Sequence, residues 1–360
     1  MGNFLKKLLQ EIYLLSILIL FNSCLEPIEF KTPKQLNLLV VDGKITNSLT
    51  GNIIKLSRTS ETDRILEPVF GATVKIYDNT GREENYYSRH DLGGGTYFHK
   101  GDIVKGESGL TYFIEITLIE DGSVYRSIPE TMPYLTATDS AYIDFKTIKE
   151  QNNIGEFVDR KVVEIFTNTK IEQQNSSVFL KWNIEEAYKL SPTDFPDPFG
   201  NVPEPCYITA ITNPQDVILF NGDLVKSDRI TNKLISTRGL DYAFLDRFFF
   251  NINLSSLTRE AYTYWNAVNQ IVNNVGSIFD SPPAPIKGNI YNINNQDEQV
   301  LGYFQASSIK TSRIMLLRAD IPFFIPPYCE YIPGKDDYPD LCLNCLSIPT
   351  STLERPDYFD

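Results

Sequence analysis

The residues of this 360-residue chain best suited to chemistry are its five cysteines, which divide as one plus four. Cys24 follows two lysines (Lys6, Lys7), a nine-residue, largely apolar run from Ile12 to Leu20, and then Phe21-Asn22-Ser23. The run is too short to span a bilayer but fits the hydrophobic region of an export signal. A cysteine directly after a small residue is the pattern in which the signal is removed and the thiol takes acyl chains. Two or more buried chains then hold a protein at a membrane where one barely does. Residues 1–23 therefore read as a lipoprotein signal peptide and Cys24 as the lipidation site. A cleaved signal followed by an incidental cysteine is the alternative.

Cys206, Cys329, Cys342 and Cys345 remain, an even number in an exported chain, where disulfides are the default chemistry. Four cysteines allow three connectivities. A bond between Cys342 and Cys345 closes a very small ring, so pairings that tie Cys206 and Cys329 to the tail are preferred. A four-thiolate zinc site is the alternative, although only one Cys-x-x-Cys is present where such sites usually show two.

Other reactive groups are sparse. The two histidines, His90 and His99, stand in no metal-ligand spacing and read as surface residues. There is no Gly-x-Ser-x-Gly elbow and no phosphate-binding Gly-rich loop ahead of a helix; Gly93-Gly94-Gly95 precedes a strand. The acidic pairs Asp194/Asp197 and Asp336/Asp337, with Asp340, match no standard calcium loop and read as solvated charge. No catalytic residue, metal site or cofactor is therefore expected, and the chain reads as a non-enzyme. The formal net charge is −13. Removing residues 1–23 takes away Lys6, Lys7 and Glu11, a net +1, leaving −14. Nucleic acid, which needs a basic patch, is excluded as a partner.

The elements that position these residues are mostly strands. Tyr (20) and Phe (22) are abundant while Met (3) is scarce, a bias towards sheet. After a Pro-containing tether, residues 24–36, strand patterns occupy 39–45, 52–57, 72–77, 112–118 and 124–125, divided by Gly-rich turns. This spacing predicts an immunoglobulin-like β-sandwich over residues 37–135. Residues 136–360 are expected to form a second β-rich domain, with strand patterns at 162–166, 178–182, 207–211, 216–220, 247–254, 288–291, 299–306 and 313–317. It carries one long helix near 258–275, capped by Thr258 and stopped by Gly276. On that helix Ala261, Tyr264, Trp265, Val268, Ile271, Val272 and Val275 recur at helical spacing, which predicts a stripe buried against a sheet. The tail, 321–360, is rich in Pro and Cys and needs its disulfides to stay folded. Phe323, Phe324, Tyr328 and Tyr331, interleaved with Pro322, Pro326 and Pro327, are the candidate partner surface, or else the cap of the second core.

With these residues in view, the chain resembles a family of Bacteroidota lipoproteins known only as a domain of unknown function, number forty-two forty-nine. The carrying segments are Leu39-Val40-Val41-Asp42-Gly43 with Ile53 to Thr59, and Leu180-Lys181-Trp182. The most specific block runs from Asn274-Val275-Gly276-Ser277-Ile278-Phe279-Asp280 through Pro283 to Lys287-Gly288-Asn289-Ile290 and Leu301-Gly302-Tyr303-Phe304. Cys342-Leu343-Asn344-Cys345 and Arg355-Pro356-Asp357-Tyr358-Phe359 also fit. The resemblance implies a lipid anchor, a β-rich body and genes often neighbouring TonB-dependent outer-membrane receptors. It carries over no functional residues. The expected function is an outer-membrane lipoprotein, facing the cell surface or else the periplasm, that serves a TonB-dependent receptor as an accessory or binding subunit in nutrient uptake. A structural or assembly subunit of a larger outer-membrane complex is the alternative.

Overall fold

The computed structural model describes residues 37–48, 51–60, 66–89, 93–135, 137–172, 177–193, 203–213, 216–224, 227–274 and 286–359. The export signal, Cys24, the tether, His90, Asp194, Asp197, Val275 and Gly276 lie outside them. The protein is mainly β. In the first strand, Leu39–Thr46, alternation sends Leu39, Val41 and Ile45 into a core while Asp42 and Lys44 point to solvent. Thr111–Thr117 behaves alike, burying Tyr112, Ile114 and Ile116.

Two sheets close over this first core. One runs, in spatial order, Leu301–Ser307, Leu39–Thr46, Ile53–Thr59, Thr96–Phe98 and Tyr87–Ser88, with Leu66–Pro68 beside Ile53–Thr59. The other runs Ile290–Asn292, Val124–Ser127, Thr111–Thr117, Thr73–Asp78 and Glu83–Asn85, with Glu130–Thr131 beside Thr111–Thr117. Their inward side chains form one cluster that includes Val41, Ile54, Ile76, Ile114, Tyr125 and Phe304.

Two of these strands arrive from late in the chain. Leu301–Ser307 lies parallel to Leu39–Thr46, with Val40 opposite Leu301 and Thr46 opposite Ser307. Ile290–Asn292 pairs antiparallel with Val124–Ser127. Sequence reasoning assigns residues 290–307 to the second domain, and hydrogen bonding places them in the first sandwich, so the boundary expected at 135 is crossed. The return depends on glycine. A Cβ on Gly302, whose φ is +92°, would stand 2.0 Å from the Val41 carbonyl oxygen, and one on Gly288 would stand 1.7 Å from that of Gly302. Asn289 clamps the crossing. Its Nδ2 donates to the Phe304 carbonyl at 2.8 Å and its Oδ1 accepts from the Phe304 N–H at 2.8 Å. Gly288 and Gly302 of the most specific family segment are thus architectural.

The second body is also two-layered. One sheet is Ala137–Gln151, Phe157–Ile171 and Arg229–Gly239. The other runs Ile309–Leu316, Phe248–Leu257, Phe179–Leu190, Cys206–Ile211 and Ser351–Thr352, with Ile218–Asn221 beside Phe179–Leu190. Between them lies a core built on Trp182, Phe244, Phe248 and Phe250. The Trp182 indole N–H donates to Asp139 Oδ2 at 2.8 Å, which satisfies its polar edge inside the core.

Helix α1 spans Arg259–Asn274. The Thr258 hydroxyl caps it by accepting from the Ala261 N–H at 3.1 Å. Ala261 is buried, and Tyr262, Tyr264 and Trp265 pack against Phe179 and Leu257 of the second body and Tyr303 of the first sandwich. Val268, Ile271 and Val272 are half-buried. The stripe therefore seals the seam between the two bodies rather than lying on one sheet.

His99 corrects the surface reading. It is fully buried, with Nε2 3.1 Å from a Glu84 carboxylate oxygen. Burial works against the Glu84 charge, but the backbone N–H groups of Asp102, Ile103 and Val104 donate to it and hold its pKa below the usual range. Burial outweighs the pull of Glu84 on His99 and keeps the imidazole below its ordinary pKa. The pair staples a loop of the first sandwich.

Candidate functional site

The tail is fixed covalently. Cys206 bonds to Cys345 and Cys329 to Cys342, which is the pattern that ties Cys206 and Cys329 to the tail. With these thiols paired, the four-thiolate zinc alternative has no ligands here. Regular structure is brief: a short helix at Asp340–Leu343 and the two-residue strand Ser351–Thr352, which pairs with Cys206–Ile211. At the C-terminal end Phe359 packs with Tyr207, Phe249 and Ala187, and the Arg247 guanidinium donates to the Phe359 carbonyl.

The four candidate partner-surface aromatics separate. Ile321 and Ile325 are buried in the second core, which fixes the strap. Phe323 is half-buried, with the Lys161 ammonium 5.1 Å from its ring centre. Tyr328 stacks on Tyr242 at 4.5 Å, and Tyr331 is half-buried. Phe324 points outward and is 79 % exposed. The isoleucines of the segment thus cap the second core, Phe323 packs against it, and Phe324 is displayed. Ile332, Leu343, Leu346 and Leu353 add exposed apolar surface along the same tail.

A second feature escapes sequence reasoning. The outward face of Phe179–Leu190 carries Lys181, Asn183 and Glu185, opposite Ser255, Asn253 and Asn251 of Phe248–Leu257. Ile309, Thr311 and Arg313 continue the row on the next strand. Asp42 and Lys44, both exposed, stand on the outward face of Leu39–Thr46 close enough for Asp42 to act on the charge of Lys181, and Lys44 on those of Lys181 and Glu185. The result is a polar seam between the two bodies. Helix α1 walls one end, where Lys181 Nζ lies 3.0 Å from the centre of the Trp265 ring and the Trp265 indole donates to Gln305 Oε1 at 2.6 Å. The tail walls the other, where the Arg313 guanidinium lies 3.8 Å from the Tyr358 ring centre and Arg313 Nε donates to Asn251 Oδ1 at 2.6 Å.

Burial sets the electrostatics of this seam. Lys181 as a whole is half-buried, but its ammonium end lies deep among protein atoms, and burial brings its pKa down to about 7, against the opposing pull of Asp42. Burial also raises Glu185, while the Asn251 Nδ2 bond at 3.3 Å holds it back. Near the helix N-terminus burial pushes Glu130 up to about 8, although the Thr258 hydroxyl donates to it. Leu180-Lys181-Trp182 was visible in the sequence as a strand whose alternation sends Lys181 opposite to two core residues. What surrounds Lys181 was not visible, because Asp42, Trp265 and Arg313 come from distant segments.

Two β bodies, a return strand and a disulfide-tied tail define the architecture. The chain belongs to the family described as Domain of unknown function (DUF4249), whose model matches residues 25–313. No curated protein and no solved structure matches the chain.

Proposed function

We propose that the protein is a lipid-anchored, non-enzymatic outer-membrane lipoprotein that docks on a TonB-dependent receptor and serves it as an accessory binding subunit in nutrient uptake. The observation that carries this reading is the tail. Phe324 stands in solvent on a strap whose neighbours Ile321 and Ile325 are buried and whose path two disulfides fix. A displayed aromatic on a rigid support loses little entropy when a partner covers it, which suits an interface anchor. The leader ending at Cys24 supports the membrane location, and the disulfides suit an oxidising compartment.

Phe324→Ser tests the docking surface. Co-purification with the receptor in mild detergent should be lost while stability changes by no more than about 0.5 kcal/mol, as expected for an exposed side chain. Ile325→Ser is the contrasting variant, expected to destabilise the fold itself. Retained co-purification of a well-folded Phe324→Ser protein would refute the docking surface. An assembly subunit without its own ligand would show no ligand-dependent stabilisation, which separates the second reading from the first.

A further inference from the structure

We propose that one end of the first sandwich rests on a lipid bilayer, with Leu66, Phe70 and Ile119 entering the interface. The inference rests on the lipid anchor at Cys24 and is independent of the receptor partnership. Leu66, Phe70 and Ile119 are 54 %, 52 % and 74 % exposed. Single exposed apolar residues are ordinary on a protein surface, but these three stand at one end of the sandwich. Leu66 and Pro68 project from the same face of Leu66–Pro68, two residues apart. A Cβ on Gly94 would stand 3.0 Å from both the Phe70 and the Pro68 side chains, and one on Gly71 would stand 3.2 Å from Ile119 Cδ1. Pro68, Phe70 and Ile119 therefore gather around these two glycines as one apolar surface.

Where the chain leads identifies the occupant. The described structure begins at Asn37, beside this same end: the Leu38 N–H donates to the Thr59 hydroxyl at 2.9 Å, and Thr59 pairs with Leu66. Arg58 joins the pieces, donating to the Asn37 carbonyl at 3.1 Å and reaching Glu120, the neighbour of Ile119, at 3.8 Å. From Cys24 to Asn37 is 37 − 24 = 13 residue steps. Even fully extended, that length of chain reaches only about 45 Å. A contact too weak to recruit a free protein forms readily under such a tether, because the encounter is then intramolecular. The second body joins beyond the other end of Leu39–Thr46, where the Ile309 N–H donates to Asn47 Oδ1 at 2.7 Å. Charge selects the kind of surface. Glu67, Glu120 and Asp121 are exposed around the apolar residues, while Arg58 is half-buried and paired with Glu120. The end therefore fits neutral, zwitterionic headgroups, since an anionic surface attracts basic segments.

The test places the mature, acylated protein in vesicles of phosphatidylethanolamine and phosphatidylcholine. It carries one environment-sensitive fluorophore, at Ile119→Cys or, for comparison, at Phe324→Cys on the tail. Flotation of the vesicles reports the anchor, and quenching by spin-labelled lipid reports the contact. Both proteins should float. The probe at position 119 should be quenched at least about threefold more than the probe at 324, because an interfacial side chain lies about 5–10 Å deep. Leu66→Ser/Phe70→Ser, added to the labelled Ile119→Cys protein, should lower that quenching and leave flotation unchanged. A protein that does not float overturns the anchor, and the contact with it. One that floats with equal quenching at 119 and 324 overturns the contact alone and leaves the anchor standing. Disulfide-joined dimers of unlabelled Ile119→Cys on the vesicles would overturn it in favour of a second copy of this chain. Shielding of the probe at 119 that requires added receptor would overturn it in favour of a protein surface.

Discussion

Removing the longer disulfide should cost more stability than removing the shorter, by an amount that loop length sets. Cys206–Cys345 spans a separation of 139 residues and Cys329–Cys342 one of 13. Cross-linking removes about 2.1 + 1.5R ln n cal/mol/K from the unfolded chain, which at 25 °C is about 5 kcal/mol for the long loop and about 3 kcal/mol for the short one. The short loop lies inside the long one, yet routing the chain through it shortens the long loop only by residues 330–341. That changes the logarithm by less than about a tenth, so the two contributions stay nearly additive. Cys206, Cys342 and Cys345 are buried and Cys329 is half-buried, so paired alanine replacements leave comparable voids. We predict that Cys206→Ala/Cys345→Ala lowers the unfolding free energy by about 5 kcal/mol and Cys329→Ala/Cys342→Ala by about 3 kcal/mol. Urea denaturation followed by the fluorescence of Trp182, buried in the second core, measures both. A long-loop variant that fails to fold beside a folded short-loop variant supports the same order. Equal losses, or a larger loss from the short loop, would show that entropy of the unfolded chain is not what these bonds act on.

Three further predictions follow from single residues. Gly302→Ala should cost more than about 3 kcal/mol, because its φ of +92° and the Val41 oxygen 2.0 Å from the new Cβ both oppose it; an unshifted urea midpoint would contradict the return strand as described. Glu130 has its folded pKa raised to about 8, so the folded state holds a proton that the unfolded state releases near its ordinary value. The stability it contributes is complete below about pH 4.5 and is lost as pH rises through about 8, and Glu130→Gln should flatten that dependence; a variant with an unchanged slope between those limits would refute the assignment. Cys24→Ser, outside the described residues, should move the protein from the membrane to the soluble fraction, and unaltered fractionation would refute the lipid anchor.

Much of the architecture was legible where local pattern and burial agree. Thr73–Asp78 and Thr111–Thr117 alternate cleanly, and helix α1 announces itself through Thr258 and a periodic stripe. Ala137–Gln151 and Arg229–Gly239 passed unnoticed for a physical reason. Their sheet exposes most of its outer face, so the first reads as polar, with Ala141, Ile143 and Phe145 only half-buried. The second is broken by register shifts opposite Ile165/Phe166 and Thr167/Thr169, the first of which leaves the neighbours Ile235 and Ser236 both buried. Periodicity also names a strand without naming its neighbour, which is why residues 290–307 went to the wrong body. The disulfide candidates were visible as residue types. The polar seam around Lys181 was not, since its two sides meet only after both bodies have formed.

The parallel pairing of Leu39–Thr46 has a mechanical consequence. The strand is the first element after the segment that precedes Asn37, and it lies inside its sheet between Leu301–Ser307 and Ile53–Thr59. Tension arriving along the chain from before Asn37 pulls this strand along its own axis. The rungs to both neighbours are then loaded together in shear instead of being peeled one at a time. Leu301 stands 301 − 40 = 261 positions after Val40, so one of those neighbours is supplied by a distant part of the chain. A protein tugged from before Asn37 is thereby gripped by residues synthesised long after the strand they hold, and a chain cut before Leu301 would lose that grip.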